Sequence, residues 1–189
     1  MRIAGGSLRG RPLAAPPDNR VRPTSDRVRQ AIFNILLHHD FGTGFAVEGA
    51  KVADLFAGTG ALGLEALSHG AAYALFVDDS AESRALIRTN VETFGLTGTT
   101  KIWRRDATEL GPLNTGSGGP FDLVFLDPPY RKNLIGAALI SLHAGGWLSA
   151  GAVLVAETAA DEHIEGGEHF QVHDTRTYGE TGVTFLLQR

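Results

Sequence analysis

Five short apolar runs alternate with helix-like segments between residues 51 and 158, and this alternation does most to narrow the folds open to the chain. KVADLF (51–56), AYALFVD (72–78), TKIWRRD (100–106), FDLVFLD (121–127) and GAVLVAET (151–158) read as strands. ALGLEALSHG (61–70), residues 80–94 and residues 134–143 read as the helices that link them, the first two closed by Gly70 and Gly95. Strands joined through helices run parallel, so the pattern predicts an α/β doubly wound sheet. HFQVHDTRT (169–177) and GVTFLLQR (182–189) flank a turn at Tyr178–Glu180 and read as a C-terminal hairpin. Ligands on such sheets gather at the carboxyl ends of the strands. Asp54, Asp78, Asp106 and Asp127 all fall at or near those ends.

DLFAGTGALG (54–63) places Gly58, Gly60 and Gly63 between a strand and a helix, the spacing of a nucleotide-binding loop. Asp78 follows Gly60 by 18 residues, where an acid can accept from ribose hydroxyls. Two cofactors fit that pattern. A dinucleotide would bring pyrophosphate against Asp54, which repels it. S-adenosylmethionine would bring an ammonium, which Asp54 attracts directly or through water. The second reading is preferred, with Phe56 and Ala57 in the same loop. Asp106 either accepts from the adenine amine or is an ordinary loop acid.

FLDPPYR (125–131) follows a buried strand with two prolines, which hold Asp127 and Pro128 extended. The exocyclic amine of a nucleobase is a poor nucleophile because its lone pair is delocalised into the ring. The Asp127 carboxylate and the Pro128 carbonyl, fixed by Pro129, can accept its N–H bonds and aim the lone pair at a methyl donor. Tyr130 offers a face for a base withdrawn from its stack. The segment reads as a nitrogen methylation site working by position and electrostatics. The chain has no cysteine, so the thiolate used for methylation at a pyrimidine carbon is missing, as are disulfides and Cys-ligated zinc.

Charge is divided unevenly. Residues 1–30 hold seven arginines against two aspartates, a net +5, while the remaining ten basic and nineteen acidic residues leave the rest at −9. Arg9, Arg11, Arg22, Arg27 and Arg29 either bind a polyanion or form a solvated arm. Residues 1–23 are taken as a basic N-terminal extension and 24–189 as one domain. RPTSDRVRQAIFNILLHH (22–39) predicts a helix over 24–39 with Val28, Ala31, Ile32, Ile35 and Leu36 on its apolar stripe and Arg27, Arg29 and Gln30 off it. Arg131 and Lys132 after the prolines could meet phosphates or solvent. Trp103 is read as core-facing, and GPLNTGSGGP (111–120) as the most mobile surface loop. The seven histidines show no metal-binding spacing, so no metal is expected. No apolar run reaches the ~20 residues of a membrane span, no signal-peptide pattern opens the chain, and a cytoplasmic location is expected.

DLFAGTGALGLEALSHGA, VFLDPPY, MRIAGGSLRGRPL and RPTSDRVRQAIFNIL together resemble the RsmD family of bacterial 16S rRNA guanine-N2 methyltransferases. The resemblance runs from Arg2 to the closing YGETGVTFLLQR. It implies a seven-stranded class I (Rossmann-like) methyltransferase sheet, S-adenosylmethionine as cofactor, and a guanine of 16S rRNA, within a partly or fully assembled small subunit, as substrate. It also implies Asp54, Gly58 and Gly60 at the methionine end, Asp78 at ribose, Asp106 at adenine, and Asp127–Tyr130 at the guanine. The ribose acid is usually Glu in this family and is the shorter Asp78 here. The competing readings are a DNA adenine-N6 methyltransferase, which would ordinarily carry an added target-recognition region, a non-catalytic RNA-binding assembly factor, and a dehydrogenase.

Overall fold

The computed structural model describes residues 1–17 and 24–189. The strands are β1 (Lys51–Leu55), β2 (Tyr73–Val77), β3 (Thr100–Trp103), β4 (Phe121–Leu126), β5 (Leu148–Ala159), β6 (Phe170–Tyr178) and β7 (Thr181–Gln188). The helices are α1 (Asp26–His38), α2 (Ala61–Ser68), α3 (Ala81–Thr93) and α4 (Leu134–Ala144). All seven strands form one sheet in the order β3-β2-β1-β4-β5-β7-β6. β1 to β5 pair in parallel, while β7 runs antiparallel to both β5 and β6. The chain winds outward from β1 to β3, then returns to place β4 on the other side of β1. The switch point therefore lies between the carboxyl ends of β1 and β4.

Alternation along each central strand feeds two cores. Val52, Phe76, Phe125 and Val155 face α1, α2 and α3, and Ala53, Val77, Val124 and Leu154 face α4. All eight are essentially inaccessible. Each large apolar side chain buried in this way contributes about 1.5–3 kcal/mol. Such a core holds the strand ends still whatever occupies the loops beyond them.

Residues 1–17 are docked rather than trailing. Ile3 and Leu13 sit in the core, an isolated bridge joins Arg2 to Pro12, and a short 3-10 turn at Gly6–Leu8 rests against α2. Ala14 N–H donates to Asn90 Oδ1 at 2.7 Å, and Leu8 N–H to Ser68 Oγ at 2.9 Å. α1 is capped by Ser25, whose hydroxyl accepts from Val28 N–H at 3.1 Å.

Two expectations need correction. The third strand ends at Trp103, so Asp106 belongs to the loop beyond it. The 111–120 loop, expected to be the most mobile segment, is pinned. Trp147 Nε1 donates to the Gly111 carbonyl at 2.7 Å, the Tyr73 hydroxyl donates to the Ser117 carbonyl at 2.9 Å, and Leu113 N–H donates to the Gly145 carbonyl at 2.9 Å. Trp103 is half-buried against Trp147 and carries the Arg105 guanidinium 4.7 Å above its ring.

Candidate active site

A cavity of about 500 Å³ opens where β1, β2 and β4 end, and Asp54, Asp78, Asp106 and Asp127 all line it. The loop from β1 to α2 forms its floor. Phe56 takes a positive φ of 55°, which an L-residue adopts only at some cost, and Gly58 and Gly60 follow at 60° and 80°. A Cβ on Gly58 would meet nothing within 4 Å, so its backbone faces open space. A Cβ on Gly63 would sit 2.5 Å from the Phe76 ring. The first glycine thus leaves room for a ligand, and the third lets α2 press onto the sheet. Ala57 N–H donates to the Val77 carbonyl at 3.1 Å, which fixes the loop to β2.

Asp54 lies beneath this loop with 1% exposure and accepts from Gly63 N–H at 2.9 Å. Burial pushes its carboxyl well above the usual range, and the charges of Asp127 and Asp78 add to the effect while the Gly63 bond opposes it. Among the described residues no basic side chain is paired with it. The pocket therefore presents a buried acid that a cationic ligand group would satisfy.

At the end of β2, Asp78 accepts from Gly58 N–H and Ser80 N–H, both at 2.9 Å. Burial raises its pKa, and the two backbone bonds resist that. Each oxygen retains a second lone pair with which to accept a hydroxyl. Asp79 is exposed. Asp106 is exposed too. Its Oδ1 takes Thr108 N–H at 2.8 Å and the Thr108 hydroxyl at 2.7 Å, bonds that lower its pKa.

Asp127, Pro128, Pro129 and Tyr130 form the opposite wall. Pro128 is buried, Asp127 and Tyr130 are half-buried, and the Tyr130 hydroxyl lies 3.4 Å from Thr181 Oγ1. A second cavity of about 300 Å³ lies against Pro128, Pro129 and Tyr130 and also reaches Glu157. The segment thus separates two spaces, and Asp127 lines the larger one.

A family model described as Conserved hypothetical protein 95 matches residues 1–187. Over 165 residues the chain is 37% identical to ribosomal RNA small subunit methyltransferase D of Escherichia coli K12, covering 87% of this chain and 77% of that protein. The chain belongs to the RsmD family. It is also 33% identical over 192 residues to the putative rRNA methyltransferase YlbH of Bacillus subtilis, across the full length of both. A solved structure described as putative methyltransferase yhhF from Escherichia coli superposes with a TM-score of 0.82 at 29% identity, covering 100% of this chain and 98% of that one. A second, the putative methylase HI0767 from Haemophilus influenzae, gives 0.78 at 27% identity, covering 99% and 97%. The fold is that of a class I methyltransferase.

In this RsmD-family chain one basic residue is not where the sequence suggested. Arg29, expected off the apolar stripe of α1 and available to a polyanion, is fully buried. Its Nε lies 3.3 Å from Glu65 Oε1, and its other nitrogens contact Asp26, the Arg2 carbonyl and the Thr24 carbonyl. A guanidinium so enclosed cannot reach a phosphate. Arg9 and Arg27 are exposed, and Arg11 is exposed while stacking 4.6 Å over Phe94 and donating to the Thr93 carbonyl. Arg22 lies outside the described residues. Arg131 is exposed and forked onto Asp161 at 2.9 Å.

Two residues at the site escaped the sequence reading of the RsmD-family motifs. Thr24, read only as the first residue of the predicted helix, places Oγ1 2.9 Å from Asp127 Oδ2 and in contact with Glu157 Oε2. Glu157 has 2% exposure and lies near the carboxyl end of β5, where Thr24 bridges it to Asp127. Burial lifts Asp127 to about 6, and burial followed by the Asp127 charge lifts Glu157 well above the usual carboxylate range. The one local signal was that Glu157 is the single acid of the GAVLVAET run, which was read as a strand.

Proposed function

We propose that this chain transfers a methyl group from S-adenosylmethionine to the exocyclic N2 amine of a guanine in small-subunit rRNA, with the base flipped out of its stack. The observation that carries the reading is the Asp127–Tyr130 segment standing between two cavities, one floored by the glycine loop and the acids Asp54 and Asp78. The family's rRNA methyltransferases support the substrate class.

The residues present fit the cofactor. Asp54, buried and with no basic side chain paired to it among the described residues, suits the ammonium of its methionine end, and the open backbone at Gly58 leaves room beside it. Asp78 would accept from the ribose hydroxyls and Asp106 from the adenine amine. The cofactor supplies an electrophilic methyl group on its sulfonium. Asp127 and the Pro128 carbonyl accept the N–H bonds of the amine and orient its lone pair. A guanine presents an N1–H donor beside its N2 amine, whereas the amine of adenine sits beside a ring acceptor. A carboxylate can accept from both guanine donors at once, which favours guanine over adenine-N6 chemistry. Tyr130 supplies the stacking face.

Arg9, Arg11, Arg22 and Arg27 hold the RNA backbone. Arg131 joins them only by leaving Asp161, which costs little because an exposed ion pair contributes about 0–1 kcal/mol. The rRNA is met within a partly or fully assembled small subunit, which implies a cytoplasmic enzyme. No helix among the described residues is long and apolar enough to cross a membrane.

Methyl-labelled S-adenosylmethionine, incubated with the protein and small subunits lacking the modification, tests this reading. Digestion to nucleosides should place the label in N2-methylguanosine. Label in N6-methyladenosine, or none in RNA, rejects it.

A further inference from the structure

We infer that Glu157 is the positioning acid of the site: uncharged, it donates to the Thr24 hydroxyl, whose own hydrogen is thereby directed onto Asp127 Oδ2, leaving Asp127 Oδ1 to the acceptor amine. This rests on the reading above of Asp127 as the group that meets the amine.

Counting hydrogens leads to it. Thr24 has one hydroxyl hydrogen, yet its Oγ1 contacts both Asp127 Oδ2 and Glu157 Oε2. Two ionised carboxylates cannot share one hydrogen, so one of the pair carries a proton. Burial chooses which. Glu157 is almost fully enclosed, whereas Asp127 borders the larger cavity and is the easier to ionise. The charges around the pair agree. Asp127 faces Glu157 from the end of β4 and disfavours its ionisation, while Arg29, reaching from α1, acts the opposite way. Asp54, from β1, faces Asp127 and adds a further negative charge. On β7 the residue paired with Glu157 is the uncharged Val183. Arg29 is itself held by Glu65 and Asp26, which spends much of its charge elsewhere.

The order has a consequence for the reaction. Proton-bearing Glu157, the Thr24 hydroxyl and ionised Asp127 form a one-way chain that fixes the carboxylate plane. If Glu157 ionises, it competes for the Thr24 hydrogen and repels Asp127, and the chain loses its direction. The arrangement keeps a single negative charge at the amine-facing end.

Glu157→Ala, Glu157→Gln and Thr24→Val test the proposal in the full chain. Glu157→Ala should lower kcat ~10-fold or more, the effect of one well-placed hydrogen bond. Glu157→Gln, which still donates to Thr24, should restore kcat to within a few-fold of wild type. It should also be free of the fall in kcat expected of wild type as rising pH ionises Glu157. Thr24→Val should resemble Glu157→Ala. Affinity for S-adenosylhomocysteine should change less than about twofold throughout, since a tenfold change would correspond to about 1.4 kcal/mol of lost contact. A glutamine variant as slow as the alanine variant at every pH, or one that keeps the alkaline decline, overturns the proposal. Carboxyl-carbon NMR titration of the labelled protein decides it without any RNA. The signal lost in Glu157→Gln should still be protonated at neutral pH in wild type, and an ionised Glu157 there overturns the proposal. Wild type that methylates no RNA would instead sink the functional reading, with the titration still deciding the state of Glu157.

Discussion

The Arg29 guanidinium and the Glu65 carboxylate lie 3.3 Å apart with both side chains fully buried, and together they fasten the N-terminal segment to α2. Glu65 accepts from Ala4 N–H at 2.7 Å, while Arg29 contacts the carbonyls of Arg2 and Thr24. One ion pair thus joins α1, α2 and residues 1–4, and it fixes the backbone that presents the Thr24 hydroxyl to Asp127.

Arg29→Ala should therefore destabilise the protein strongly. It strands Glu65 as a buried charge, a loss that typically costs about 3–5 kcal/mol. Replacing an exposed arginine such as Arg27 should shift stability by less than about 0.5 kcal/mol. Urea unfolding of both variants measures the contrast. Equal, small effects would mean that Arg29 is not held as described.

Cofactor affinity should depend on Asp78 and scarcely on Asp127. Asp78→Ala removes an acceptor from the ribose hydroxyls and also frees the N–H groups of Gly58 and Ser80. A hydrogen bond to a charged group is worth about 1.5–3 kcal/mol, so Kd for S-adenosylhomocysteine should rise at least tenfold. Isothermal calorimetry reads it directly. Comparable weakening by Asp127→Ala would refute the division of the site into a cofactor side and an acceptor side.

Asp127→Ala should lower kcat by ~10²–10³, as loss of a preorganised electrostatic group does. In wild type, kcat should fall as pH drops through about 6, where Asp127 takes up its proton. The stability effect runs the other way. The folded pKa of Asp127 is raised above the ~3.9 of an unfolded aspartate, so the native state holds the proton more tightly. Its contribution is fully present below about pH 4 and is lost as pH rises through about 6. Asp127→Asn, which cannot ionise, should gain stability relative to wild type across that window. Denaturant midpoints between pH 4 and 7 should diverge in that direction, and a constant difference would contradict the assigned shift.

The sheet and its acid-lined edge were legible because their signals are local. Strand runs, the glycine spacing and DPPY each sit within about ten residues. What sequence left hidden depends on the third dimension. Arg29 was set off the apolar stripe, although it stands three and four residues before Ile32 and Phe33 on the buried face. Its burial requires Glu65, 36 positions away, and no local pattern joins the two. Glu157 was visible only as a strand residue, since its meaning comes from β5 pairing with β4 so that Ala156 stands beside Leu126. The TKIWRRD run was extended too far because sheet pairing with β2 stops at Trp103.

RNA affinity should rest on the exposed arginines of the N-terminal segment and α1. Residues 31–189 are acidic overall and repel phosphate, so docking must draw on the +5 of residues 1–30. Arg29 spends its charge inside the fold, so of the five arginines proposed for RNA, Arg9, Arg11, Arg22 and Arg27 remain. If each neutralises one phosphate, replacing all four by alanine should flatten the slope of log affinity against log salt by ~0.7 per contact for single strands. The apparent KM for small subunits should rise, while S-adenosylhomocysteine binding stays as in wild type, because none of the described members, Arg9, Arg11 and Arg27, lines the larger cavity. Filter binding of wild type and the four-alanine variant across a salt series makes the measurement. An unchanged slope would place the RNA surface elsewhere, with Arg131 and Lys132 beside the second cavity as the next residues to replace.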